Sequence, residues 1–365
     1  MPRRLVRTGL IVLVHALAFS PWAGADDSPS PPSTQAVATA APTASPESAA
    51  LRTLADAAVR PALAQLADTS AGLADAVETL CVRPQAEPLT QAREAWRTAY
   101  AAWRRAEPFL FGPMKALDLR KRIGVWPTNA TVLDAAVTTE DMRDLLAAAD
   151  ARGYAAAEYL LFAPSDAAAA AADGRCAHLR DLTAEIADLT GRTPRIWAQD
   201  YERRFVAAGD GGPFLVPGDA LSLPFAEALN VTERMLRDRI GYPSGFFEDQ
   251  ARPEHLEAWH SGSSRLGLTA SLEGLRMMIG AGEASIAELI ATRDGVLSQP
   301  DPALAADLVH QIDKALADLA RGERPLHEEL RDRPKRLKRL YLEVERLQEQ
   351  LVEATLVLEL DVLTR

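Results

Sequence analysis

The densest grouping of potential donor side chains is Glu254-His255-Leu256-Glu257-Ala258-Trp259-His260. Imidazole and carboxylate groups are the usual ligands for zinc and iron. His255 and His260 are five apart, however, and five helical residues turn about 500°. On an unbroken helix the two rings would point roughly 140° apart and could not share an ion. Glu257 and His260 are three apart and would share a face. The plainer account of His260 is a surface histidine near a helix start, and His178, His310 and His327 have no comparable neighbours in sequence. Ser261 and Ser263 follow directly, but Ser263 has no assignable His–Asp pair and the chain has no G-x-S-x-G elbow. Gly209–Gly212 is followed by Pro213 and lacks the Lys-Ser/Thr of a phosphate-cradling loop. Trp126, before Pro127, and Trp259 could line a ligand cleft, although core packing is the commoner role for either. The two cysteines, Cys81 and Cys176, are expected to pair if the chain is exported, the alternative being two buried thiols.

Helices must position these residues. Leu89, Ala92, Trp96, Ala99, Trp103, Ala106 and Leu110 keep a 3-4-3-4 spacing that puts them on one helical face. Leu337, Leu340, Val344, Leu347 and Leu351 repeat it behind Pro334, with Glu343, Glu345 and Arg346 expected on the outer side. Both stripes read as bundle cores. Further helices are predicted over 49–81, 139–162, 176–207, 222–240, 253–280, 282–297 and 301–321. Pro84, Gly112-Pro113, Pro164, Gly209 to Pro217, Gly241 to Pro243 and Gly322 separate them. Strand patterns are nearly absent, so the expected fold class is all-α, two antiparallel helical bundles packed together. The alanine run Ala167–Ala172 suits a helix end or loop and a join between an N-terminal bundle, 49–172, and a C-terminal one, 173–365.

Four segments, in order, resemble the imelysin-like family: WRTAYAAWRRAEPFLFGP from Trp96, RIGVWP from Arg122, RGYAAAEYLLF from Arg152 and LEAWHSGSSRLGLTASLEGLRMM from Leu256. The layout is similar over about Leu51 to Leu363. The resemblance implies a two-bundle periplasmic protein, often iron-regulated or linked to iron uptake, from a family once classed as metallopeptidases. The family's G-x-H-x-x-E signature falls on Gly153, Ala155 and Glu158, with alanine where the histidine belongs; Gly124 stands where an aspartate precedes the Trp-Pro pair. Residues 155 and 158 share a helical face, so a His–Glu pair there could hold a metal. A methyl group cannot coordinate, and Glu158 alone falls short of the three or four donors a site needs. Glu158 is then either a residual metal ligand, with His260 as a replacement donor, or a buried carboxylate paired with Arg97, Arg122, Arg152 or Arg276.

The formal net charge of −11 argues against nucleic acid and anionic membrane surfaces as partners. Arg3, Arg4 and Arg7, the apolar run Leu10–Phe19 and Ala23-Gly24-Ala25 form a signal-peptide pattern over 1–25, too short to span a membrane. Its removal would take the charge to −14 by deleting three arginines. Residues 26–48, rich in Pro, Ser, Thr and Ala, are expected to be a disordered tether. The expectation is a non-catalytic periplasmic protein that binds iron, another divalent metal or a small ligand in a cleft between the bundles. Trp126, Gly153, Ala155, Glu158, Trp259, His260, Ser261, Ser263 and Arg276 are the candidate cleft residues, and an envelope protein is a further candidate partner. A metal-dependent hydrolase and an interaction protein that has lost its site are the alternatives.

Overall fold

The computed structural model describes residues 45–138, 149–247, 250–332 and 334–362. The expected signal peptide, the tether as far as residue 44 and the first part, 139–148, of the helix predicted over 139–162 lie outside the described residues. The first helix, α1 (Pro46–Leu54), already begins inside the predicted tether: Ser45 caps it by accepting the Ser48 N–H, and Pro46 suits the first turn. Ala44–Arg365 form one compact unit. Its described residues contain no strand.

A one-turn π-helical widening, Ala55–Val59, leads into α2 (Arg60–Val82), and a short turn reverses the chain into α3 (Ala86–Ala106). After α4 (Ala130–Thr138) and α5 (Gly153–Phe162), the long α6 (Asp173–Ile196) packs along α2. Helices α2, α3, α5 and α6 thus make one bundle, with α6 on α2 although it follows the alanine run. That run is itself a short helix, Ala167–Ala170, capped by Asp166. Cys81 and Cys176 form the expected disulfide, Cα–Cα 5.6 Å, between the end of α2 and the start of α6.

The second bundle comprises α7 (Pro217–Arg234), α8 (Ser264–Gly280), α9 (Ile286–Thr292), α10 (Pro302–Ala320), α11 (Leu326–Asp332) and α12 (Pro334–Val357). Pro217 opens α7 instead of ending the preceding segment, because a first-turn proline sacrifices no helical hydrogen bond. Both apolar stripes are buried as predicted. Glu343 departs from its stripe's expected outer side. It is buried with Lys314 Nζ 3.7 Å away, and its backbone carbonyl accepts from Gln311.

Helices α3 and α8 join the two bundles, and glycines set how closely. A Cβ at Gly267 would lie 2.5 Å from Tyr100 Oη, and one at Gly274 would lie 2.3 Å from the Arg105 carbonyl. A side chain at Gly267 would displace the Tyr100 ring, and one at Gly274 would displace α3 itself. This seam sets Tyr100 and Arg104 on α3, and Glu107 just past its end, against α8 and the turn preceding it.

The helix predicted over 253–280 starts only at Ser264. Residues 256–263 instead form a compact turn, with Ala258 (φ 57°) and Gly262 (φ 68°) in the left-handed region. The Ser263 N–H closes it on the Ala258 carbonyl at 2.9 Å. A left-handed alanine is uncommon and is held only where surrounding contacts over-determine it. Here the neighbouring Glu257 is clamped by two arginines.

Candidate functional site

The segments carrying the signature meet at a backbone seam. Tyr154 N–H donates to the Ile123 carbonyl at 3.0 Å. Gly153 sits at φ 71°, where a Cβ would lie 2.2 Å from that carbonyl oxygen, so glycine is required twice over. Trp96 Nε1 donates to the Tyr154 carbonyl at 2.9 Å, and Tyr154 Oη lies 2.9 Å from Ser70 Oγ. Helix α5 is thereby fixed in rotation, and its second turn aims Glu158 inward.

Glu158 is 3% exposed. The Ser261 N–H donates to its Oε1 at 2.7 Å, across from the compact turn. None of the arginines expected to pair with it does so. Arg97 binds Glu94, Arg122 and Arg152 both bind Glu185 (2.6 and 2.5 Å), and Arg276 reaches Asp313 at 2.9 Å. Burial pushes the Glu158 carboxyl up to about 7, against the opposing pull of Ser261 and the His260 backbone. The crevice beside it holds about 10 Å³, at most one water, and is walled by Trp96, Tyr100, Tyr154 and Ala155 with Arg104 and Glu257.

A metal does not fit this crevice. Ala155 supplies no donor atom, burial keeps the Tyr100 and Tyr154 phenols protonated and so poor ligands, Arg104 would repel a cation, and Glu257 is occupied by arginines. His260 is exposed, its ring 5.1 Å from that of Tyr159, so it brings to Glu158 its backbone and not its imidazole. Glu257 and His260, matched in the sequence by helical spacing, are not on a helix. Among the described residues no three His, Cys, Asp or Glu side chains converge as a metal site.

Next to the crevice lies a buried ionic cluster that the sequence reading did not identify. Glu107 is 1% exposed and is held by Arg239 Nη2 at 2.9 and 3.0 Å, Arg104 Nη1 at 3.1 Å and Arg234 Nη2 at 3.1 Å. Glu257 binds Arg239 Nε at 2.9 Å and also pairs with Arg104. Arg239 Nη1 donates to Ser271 Oγ at 2.9 Å, which occupies all three of that arginine's nitrogens. Burial alone would raise the Glu107 carboxyl. The charges of Arg239, Arg104, Arg234 and Arg120 outweigh it and hold Glu107 well below the usual carboxylate range. Burial, then the adjacent Arg104, brings Arg239 down to about 10, so it remains charged at neutral pH.

A cavity of about 250 Å³ opens beside the cluster, with Trp103 and Arg104 on its buried side and Val125, Trp126, Arg120 and Arg234 completing much of its wall. Of the predicted residues, Trp126 lines this cavity, while Ala155 and Glu158 line the crevice. Gly153 sets the seam, and Ser261 and Ser263 build the turn. Trp259 is instead set edge-on to His327 at 4.9 Å, and Arg276 is engaged with Asp313. The missed set, Tyr100, Arg104 and Glu107, recurs at i, i+4 and i+7. That is a second stripe beside the apolar one and the only sequence signal for the cluster.

The imelysin family model matches residues 59–354. Iron-regulated protein A of Synechococcus elongatus is 32% identical over 113 residues, a match spanning 30% of this chain and 30% of that protein's own length. The crystal structure of a protein described as an iron-regulated protein A precursor from Parabacteroides distasonis superposes with a TM-score of 0.74. The identity is 18%, covering 87% of this chain and 96% of that one. An imelysin-like protein from Psychrobacter arcticum gives 0.68 at 20% identity, over 88% and 98% of the two chains. At these identities the structural matches speak for the fold alone.

Proposed function

The chain belongs to the imelysin family, and on that premise we propose that it is a non-catalytic binding protein of the cell envelope that takes a small ligand where its two bundles meet. The name of its iron-regulated relative supports a link to iron. The observation that carries the reading is the state of Glu158. Its carboxylate is closed in by a backbone N–H, Ala155 lies one turn before it, and the usable space has moved to the neighbouring cavity. A protein that bound a bare cation through this acid would present further donors there. A hydrolase would need an activated water on a metal, and among the described residues Glu158 as base has no ligand set beside it.

The Cys81–Cys176 disulfide supports an oxidising compartment. No helix among the described residues is long and apolar enough to cross a membrane. With the signal-peptide pattern, the periplasm is the location these features favour.

Titration of the purified chain with ferrous iron, ferric iron, zinc and copper tests the reading. No saturable binding is expected at micromolar concentrations, while affinity gained only in Ala155→His would trace the loss to that residue. Stoichiometric binding by the natural chain that disappears in Glu158→Gln would overturn the proposal.

A further inference from the structure

Four residues lining the 250 Å³ cavity carry buried N–H groups without an acceptor: Trp103 Nε1, Arg104 Nε, Arg120 Nε and Arg234 Nε. Trp103 is fully buried and Arg104 is 4% exposed, so bulk water does not satisfy them. An unmet buried donor is costly, and four around one space mark a place built to receive acceptors. The charges around the space point the same way. Of the residues that line it, the four arginines Arg104, Arg120, Arg234 and Arg239 stand against three carboxylates, Glu107, Asp238 and Glu257. The surplus is positive, in a chain whose overall charge is −11. The arginines also burden one another, since Arg120 and Arg104 both disfavour the charge of Arg234.

We propose that this cavity is a binding site for a small organic carboxylate: the partly exposed Arg120 and Arg234 side chains turn so that their N–H groups meet its oxygens, and its apolar body lies against Trp126 and Val125. Planar guanidinium groups match a carboxylate in geometry as well as in charge. Arg239, with every nitrogen engaged, is the positioning residue that holds Glu107 and Glu257 away from the ligand. The assignment rests on the small-ligand reading above and narrows it to one chemical class.

Calorimetric titration of the full chain with benzoate, inorganic phosphate and benzyl alcohol is the test. Saturable binding of benzoate is expected, weakened at least about tenfold in Arg234→Gln and in Arg120→Gln, with circular dichroism reporting that each variant is folded. Trp126→Ala should weaken benzoate while leaving phosphate unchanged, because only the organic anion has an apolar body to place. Benzyl alcohol binding as tightly as benzoate would overturn the carboxylate assignment and leave the small-ligand reading standing. Phosphate binding in place of benzoate would likewise overturn the organic class. Binding of none of the three would overturn the carboxylate assignment. Should a wider panel of neutral and cationic small molecules also leave the cavity empty, the small-ligand reading would fall with it.

Discussion

Glu158 and Glu107 are buried to nearly the same degree, on neighbouring walls of one interface, and they ionise in opposite directions. Glu158 lies among aromatic rings, and its acidity falls with burial because the backbone N–H groups it meets offset that burial only in part. Glu107 meets three guanidinium groups, and its acidity rises. Depth is common to both, so the partners decide the charge. The consequences for stability also oppose. The stabilisation associated with neutral Glu158 is present below the usual glutamate range and is lost as pH rises through about 7. The contribution of ionised Glu107 is present above that range and is lost as the solution becomes strongly acidic.

The largest effect should come from breaking the compensated side. Glu107→Gln leaves Arg104, Arg234 and Arg239 facing one another, and urea denaturation should show a loss of about 3–5 kcal/mol. An unchanged midpoint would mean that the arginines do not depend on this acid. The uncompensated side comes next. Between pH 4.5 and 8 the natural chain should lose roughly 3 kcal/mol through Glu158, the worth of its raised pKa, whereas Glu158→Gln should lack that component. Parallel pH–stability curves for the two proteins would rule out the assignment. The smallest effect sharpens the contrast. Ser261→Ala removes a hydroxyl that donates to the Ala258 carbonyl but keeps the N–H that holds Glu158, so it should cost only about 0.5–1 kcal/mol. A Glu158 titration followed by carbon NMR should move further up in that variant, because the hydroxyl as well as the N–H of Ser261 favours the carboxylate, and an unmoved titration would assign the role to the backbone alone.

The sequence disclosed the helices and the disulfide because both follow from local rules: a 3.6-residue period of apolar side chains and two cysteines without competitors. It also singled out Gly153 and Glu158 as candidates, but only through resemblance. What it concealed is the pairing. Arg104, Glu107, Arg239, Glu257 and Ser271 are scattered over 168 positions and converge only when α3 meets α8. The turn at 256–263 was hidden for a related reason. Its local sequence suits a helix, and long-range ion pairing of Glu257, with Ala258 left-handed, overrules that preference.

The covalent bond between Cys81 and Cys176 encloses α3, α4 and α5 in a closed ring of chain. One proteolytic nick anywhere in that ring would yield two polypeptides that still migrate as one species on a non-reducing gel and separate only after a thiol is added. Turnover of the protein by a single cleavage there is therefore silent until the compartment becomes reducing.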